Sequence, residues 1–162
     1  RRAIEAVWYT GKLMGPVLAK TLTGNPTPYQ QATWFNSAKF MDIEWQTYGN
    51  LTNKPGPGEK HIFWEHEDGT KLIRISYQAE SGAVLGFNTM GIRYRSEVCI
   101  KWIEDGAHIE QVLQQLSLAN FDPEFYRLYE QQLVNRYNEL EGTALVLKKS
   151  RSLKKVFAFL GG

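Results

Sequence analysis

The stretch His61–Tyr77, HIFWEHEDGTKLIRISY, decides the fold of this chain. Its two halves are rich in aromatic and β-branched residues, and Glu67-Asp68-Gly69-Thr70 lies between them. Asp-Gly between two such runs is the strongest short-range sign of a β-hairpin, because the glycine adopts the positive φ angle that a tight turn requires. The sequence therefore predicts an antiparallel pair of strands around this turn.

Two further segments on either side of the hairpin have strand character. Between residues 40 and 48, polar residues alternate with Met41, Ile43 and Trp45, a period of two that predicts one half-buried strand. Ala83–Asn88, entered through a Ser-Gly pair, predicts another. Residues 50–59 are rich in Pro and Gly and predict an exposed connection. The middle of the chain is thus expected to form an antiparallel sheet of about four or five strands.

Helical patterns flank the sheet. Residues 1–22 predict a leading helix with Gly11, Gly15 and Ala19 along one face, ended by Thr23-Gly24-Asn25-Pro26. After the sheet, apolar stripes at residues 98–103 and 109–116 predict two helices. Asp122-Pro123-Glu124 predicts the start of a third helix that runs to about residue 140. The fold class is therefore α+β, with one leading helix and three C-terminal helices.

Composition limits the classes of function. The chain has 162 residues, which suits one domain or one domain with a piece of another. A formal net charge of +2 gives no electrostatic reason for nucleic-acid binding. The single Cys99 excludes an internal disulfide and fits a reducing compartment, so a cytoplasmic location is expected. No apolar run is long enough for a transmembrane segment.

Few residues indicate a catalytic, metal-binding or partner-binding role by themselves. The three histidines lack the spacing of zinc ligands, and no phosphate loop or dinucleotide fingerprint is present, so neither a metal site nor catalytic residues are assigned. Cys99 lies on a predicted apolar helix side and is expected to be a buried, unreactive thiol. Arg93 and Arg95 are candidates for binding a phosphate or an acidic partner. The basic tail, Lys148–Lys155, is interpreted as a solvated turn between two packed segments rather than a membrane or nucleic-acid contact.

One segment links the chain to a known family. Trp34-Phe35-Asn36-Ser37 follows the leading helix and precedes the sheet. It is similar to the Trp-Phe-Trp-Ser segment of ferredoxin-reductase-like members of the pyridine nucleotide-disulfide oxidoreductase family, with Asn36 in place of the second Trp. Gln46 and Gly49 occupy places similar to a Gln and a Gly in that family's next strand. In this order of elements the chain resembles the C-terminal interface part of an FAD-dependent pyridine nucleotide-disulfide oxidoreductase.

The resemblance implies a division of the chain. Residues 1–24 would be the last helix of an upstream FAD domain, and residues 25–91 the linker and sheet of the interface domain. Residues 92–141 would be a helical elaboration, and residues 142–162 a basic and apolar tail. FAD and NAD(P) would be bound by the upstream domains, and neither by the fragment alone.

The same resemblance implies a role without catalysis in this part of the protein. The interface domain would close the flavin pocket, with Trp34, Phe35, Ile4 and Glu5 nearest the cofactor. The complete enzyme would transfer hydride from a nicotinamide to the flavin and deliver electrons to a protein or disulfide acceptor. The implied partners are the upstream domains, a second copy of the chain and an electron-transfer protein.

Two other functions remain open from the sequence. The three helices and the basic tail would suit a protein-interaction module, with the sheet as a platform. A small-ligand domain with its pocket between sheet and helices is the third alternative. The flavoprotein hypothesis alone predicts exposed aromatic residues on the leading helix, where a neighbouring domain would pack.

Overall fold

A computed structural model describes residues 7–121, 127–148 and 153–161. Their elements in chain order are α1 (Trp8–Leu22), β1 (Phe35–Phe40), β2 (Ile43–Tyr48), β3 (Glu59–Glu65), β4 (Leu72–Gln78), β5 (Val84–Met90), α2 (Ser96–Glu104), α3 (Ile109–Gln115), α4 (Glu130–Glu141) and α5 (Leu153–Leu160), with a 3₁₀ turn at Leu116–Leu118. The α+β class, the leading helix and the group of later helices are confirmed.

The five strands form one antiparallel sheet in the order β1-β2-β5-β4-β3. The predicted hairpin joins β3 to β4, where the backbone N–H of His66 donates to the carbonyl of Lys71 at 2.9 Å. The carboxylate of Asp68 accepts a hydrogen bond from the N–H of Thr70, also at 2.9 Å. This side-chain bond fixes the turn as the Asp-Gly pair predicts.

The single strand predicted for residues 40–48 is wrong. The structure places β1 before Met41 and β2 after Asp42, and Phe40 pairs directly with Ile43. Met41 holds a φ angle of 52° and its side chain is 94% exposed. The turn has neither Gly nor Asn, and apolar residues continue through it, so the residue pattern contains no stop signal.

The core lies between one face of the sheet and the helices that follow it. The sheet contributes Ile62, Ile73, Ile75 and Phe87, which are at most 1% exposed. Trp102 of α2 is 1% exposed, and its ring centroid is 5.9 Å from that of Phe87. Dense packing of this kind against apolar strands supplies most of the stability of such a domain.

The last predicted helix starts later than the sequence indicates. The capping residues Asp122-Pro123-Glu124 lie outside the described residues, but Arg127–Tyr129 are described and are not helical. Tyr129 is 6% exposed and packs its ring 5.1 Å from that of Trp64, which anchors the chain before α4 begins. The predicted end is confirmed, because Gly142 caps α4 with a φ angle of 66°.

The tail adds a helix that the sequence did not predict. Leu147 is 8% exposed and Val156 of α5 is 7% exposed, so apolar residues pack on both sides of the basic cluster. Much of that cluster, residues 149–152, lies outside the described part of the chain. Among the helices that are described, none combines the length and the apolar character needed to cross a bilayer.

Candidate functional site

Helix α1 presents a largely unburied apolar surface. Trp8 is 69% exposed, Leu18 57% and Leu22 77%, and Thr10 is the buried residue of this helix. Tyr9 of this helix contacts the sheet, with its ring centroid 4.6 Å from that of Phe35. Exposed apolar side chains on this scale are unusual for a solvent-facing surface and are typical of contact areas. The exposed Trp8 agrees with the expectation of aromatic residues on the leading helix.

Trp34 and Phe35 lie beside α1, where both line a narrow cleft together with Tyr9. Phe35, the first residue of β1, also lines a cleft of about 170 Å³ that Tyr9 borders. Trp34 also lines a wider cleft of about 500 Å³ that reaches Gly49 and Ile103. The two aromatic residues thus border three clefts at the α1 edge of the sheet. Ile4 and Glu5, the other residues expected near the flavin, lie outside the described residues.

Gln46 and Gly49 hold this edge in place. The side-chain oxygen Oε1 of Gln46 accepts a hydrogen bond from the backbone N–H of Tyr94 at 2.7 Å, in a buried position. The N–H of Gly49 donates to the carbonyl of Trp34, also at 2.7 Å. The first bond ties β2 to the segment before α2, and the second sets the position of Trp34. Both residues therefore have clear structural roles in shaping the site.

The structure brings Arg93 and Arg95 together around Phe121. The guanidinium carbon of Arg93 lies 4.5 Å from the ring centroid of Phe121, and that of Arg95 lies 5.4 Å away. Arg93 forms an ion pair with Glu44, with 3.3 Å between Nε and Oε1. Arg95 donates to the carbonyl of Phe121 at 2.5 Å. Both arginines are thus oriented by neighbours, while the Arg93 side chain remains 44% exposed.

Sequence reasoning missed a buried carboxyl group. Glu130 is 1% exposed, and its Oε1 accepts a hydrogen bond from Nδ2 of Asn120 at 2.7 Å. Burial raises the pKa of Glu130, and the bond to Asn120 only partly offsets that effect. A signal was present in the sequence: Glu130 precedes Leu133, Val134 and Tyr137 at the three-, four- and seven-residue spacing of a buried helix face.

This buried carboxyl group predicts a pH dependence of stability. Because the folded-state pKa lies above the unfolded one, the protonated carboxyl stabilises the fold fully below about pH 4.5, and this contribution is lost as pH rises through the folded-state pKa. We expect Glu130→Gln, which stays neutral, to gain stability relative to the natural protein between about pH 5 and pH 8. Urea unfolding across that range measures the difference.

A control for this comparison lies on the same helix. Glu139 is paired with Arg136 at the surface, with its side chain 66% exposed. Glu139→Gln removes a carboxylate from the surface of the same helix and controls for the loss of one negative charge. A difference between Glu130→Gln and the natural protein that stays constant with pH would contradict the assignment of a raised pKa.

Two other potentially reactive side chains have structural surroundings that account for them. Cys99 is fully buried, and burial raises the pKa of its thiol well above the ordinary value, which agrees with the expected unreactive role. His66 pairs with Asp68 at 2.9 Å and packs against the ring of Tyr129. Within the ranges 7–121, 127–148 and 153–161, no three His, Cys, Asp or Glu residues are grouped in a way that could hold a metal ion.

Comparison with known proteins adds one finding about the fold. No protein-family model and no curated protein matches the chain. Among solved structures, the fold is similar to that of an NAD-dependent persulfide reductase from A. fulgidus, with a TM-score of 0.59 and 12% sequence identity. The similarity covers 88% of this chain and 29% of that enzyme's chain. At this identity the match establishes only that this chain has the fold of part of a longer reductase.

Proposed function

We propose that this chain is the C-terminal interface part of an FAD-dependent NAD(P)H oxidoreductase of the pyridine nucleotide-disulfide family. In this proposal residues 1–24 belong to an upstream FAD domain, and residues 25–91 form the interface domain. Residues 92–141 elaborate that domain, and residues 142–162 form a tail. The chain closes the flavin pocket and is not catalytic alone. The fold it shares with part of an NAD-dependent reductase supports this proposal.

The exposed apolar face of α1 carries the proposal. A helix with Trp8, Leu18 and Leu22 in water loses hydrophobic stabilisation that it would regain against another domain. The packing of Tyr9 on Phe35 joins this helix to the sheet at the predicted flavin-proximal segment. A domain packed on the exposed face of α1 would therefore be connected to Phe35 through this one helix.

The residues of this edge would serve as a wall for the cofactor. When bound by the upstream domain, the flavin supplies the ring that accepts hydride from NAD(P)H. Trp34 and Phe35 would exclude water from that ring, with Ile4 and Glu5 near the helix N-terminus, where the helix dipole favours negative charge. Trp34 borders an open cleft of about 500 Å³, which leaves room for a group from another domain. The observed geometry is compatible with this role.

In the same proposal, Arg93 and Arg95 would face the protein that accepts electrons or a second subunit. Arg93 and Arg95 are held on Phe121 and keep cationic groups at the surface, a suitable arrangement for a carboxylate-rich partner. In this proposal they contact either a second subunit or an acidic electron-transfer protein. A cytoplasmic location is part of the same proposal.

A second candidate function rests on a different surface. Phe157 of α5 is 69% exposed and Val146 is 72% exposed, so the C-terminal region also displays apolar side chains. The chain would then be a protein-interaction module built from the helices and the basic tail, without any flavin. This candidate leaves the exposed face of α1 unexplained.

The coding sequence upstream of Arg1 distinguishes the two functions. The flavoprotein proposal predicts two glycine-rich dinucleotide fingerprints, each after a predicted strand, and an Asp shortly before Arg1. An unrelated linker or a start codon directly before Arg1 would contradict it. In that case the interaction module becomes the better hypothesis.

A further inference from the structure

The cleft lined by Phe35 lies where the helical layer leaves the sheet uncovered. Helix α2 packs over the central strands β5 and β2 and helix α4 packs over β3, whereas β1 is at the far edge of the sheet. The floor of the cleft consists of Phe35 and Ser37 of β1 and of Gln46 and Tyr48 of β2, which share one face of the sheet. Its volume is about 170 Å³. A cavity of about 150 Å³ accommodates one benzene ring, so this cleft has room for a single six-membered ring.

Five aromatic residues line this space; Tyr48 and Tyr94 are buried, and the three others are more exposed. Tyr9 comes from α1, Phe35 from β1 and Phe121 from the segment after the 3₁₀ turn. Rings from three separate elements around one small volume favour a planar apolar group, because aromatic pairs are stabilised by edge-to-face and offset packing. The cleft therefore has the lining of a site for an aromatic ring.

The polar groups of the floor are mostly satisfied by the protein. Tyr48 donates its hydroxyl to the carbonyl of Tyr94 at 3.1 Å, and Gln46 accepts from the N–H of the same residue. Ser37 also lines the cleft, and its hydroxyl forms no hydrogen bond with the residues that the structure describes. One hydroxyl group is thus left to interact with a bound molecule.

Arg93 supplies the charge at the rim. The ring of Phe121 packs against its guanidinium, and Glu44 forms an ion pair with its Nε. These two contacts fix the orientation of the guanidinium. Within the described ranges, its two terminal nitrogens donate no hydrogen bond, although the guanidinium as a whole is ion-paired with Glu44. Such a pair of nitrogens matches the two oxygens of a carboxylate. Glu97 also lines the cleft, and its negative charge weakens the binding of any anion, most strongly of ligands with more than one negative charge.

We propose that this cleft binds a small monocyclic aromatic carboxylate. Its ring occupies the space bordered by Tyr9, Phe35 and Phe121, its carboxylate binds the terminal nitrogens of Arg93, and Ser37 donates to a polar substituent or carboxylate oxygen. The cleft is too small for a nucleotide. The inference rests on residues of this chain alone and concerns the 162-residue chain, in which no other domain competes for Phe35 or Arg93.

Titration of the ¹⁵N-labelled 162-residue chain with benzoate tests the proposal. We expect saturable shifts of the backbone amides of Ser37, Gln46 and Ser96 at millimolar benzoate, a weak affinity typical of a ligand with few atoms. Benzamide has the same ring without the charge and should bind at least about tenfold more weakly. Shifts that do not saturate, that lie away from the cleft or that are equal for benzamide would overturn the proposal.

Variants separate the arginine from general charge effects. Arg93→Gln should weaken benzoate binding about tenfold or more, while Arg136→Gln, a remote surface arginine, should leave it unchanged. Arg93→Lys keeps the charge without the paired nitrogens and should retain part of the affinity. If Arg93→Gln does not fold, Arg93→Lys provides the test. Full affinity in a folded Arg93 variant would overturn the assignment of this residue.

Discussion

Replacing Trp102 by alanine should lower the free energy of unfolding by about 3–5 kcal/mol, the usual cost of removing a large aromatic side chain from a core. Trp102 is 1% exposed, and its ring contacts Phe87 of β5 at 5.9 Å and Phe159 of α5 at 5.7 Å. It therefore joins the sheet to two helices at once. Urea unfolding followed by circular dichroism measures the effect.

The matched control is an exposed tryptophan near the N-terminus of the chain. Trp8 is 69% exposed, so Trp8→Ala in the 162-residue chain should change the free energy of unfolding by about 0.5 kcal/mol or less. A cost below about 1 kcal/mol for Trp102→Ala would contradict the described core. The same Trp8→Ala variant should have a larger effect in a longer protein in which another domain packs on α1.

The second large effect is expected at Gly49. Its φ angle is 79°, and a Cβ atom added there would lie 2.2 Å from the carbonyl oxygen of Leu85 and 3.0 Å from the Cα of Gly86. Both neighbours are backbone atoms of β5, so they cannot rotate away. Gly49→Ala should therefore cost about 3 kcal/mol or more, from the unfavourable φ angle together with the steric overlap. It should also displace Trp34, which is hydrogen-bonded to Gly49.

A substitution at Gly106 separates the cost of the φ angle from the cost of steric overlap. Gly106 has a φ angle of 60°, and an added Cβ would meet nothing within 4 Å. Gly106→Ala should cost about 1 kcal/mol, the effect of the φ angle alone. Thermal and urea unfolding of both variants measure the difference. Equal costs at the two positions would show that β5 does not pack closely on Gly49.

The sequence predicts those parts of the fold that depend on neighbouring residues. The hairpin at Asp68-Gly69 and the end of α4 at Gly142 are local events that a glycine with positive φ determines. The turn at Met41-Asp42 is also local, but it has neither Gly nor Asn and the alternation of apolar residues continues through it, so the pattern does not predict it. The late start of α4 depends on a distant residue, since Tyr129 packs on Trp64.

The candidate site was predictable only in part. The segment at Trp34 and Phe35 was identified from its order relative to the leading helix and the sheet. The meeting of Arg93 with Phe121 depends on residues 28 positions apart in the sequence, and no spacing rule predicts it. Glu130 had a periodicity signal, but a charged residue on a helix is usually solvated. Only packing shows that its carboxyl group is buried.

The most direct test of the proposed function is the absorption spectrum of the longer protein that contains this chain. The flavoprotein account predicts bound flavin, with bands at roughly 370 and 450 nm, and a colourless 162-residue chain as the control. Trp34→Leu in that protein should change the position or intensity of the flavin bands while the free energy of unfolding stays nearly the same. A longer protein without any flavin chromophore would contradict the account.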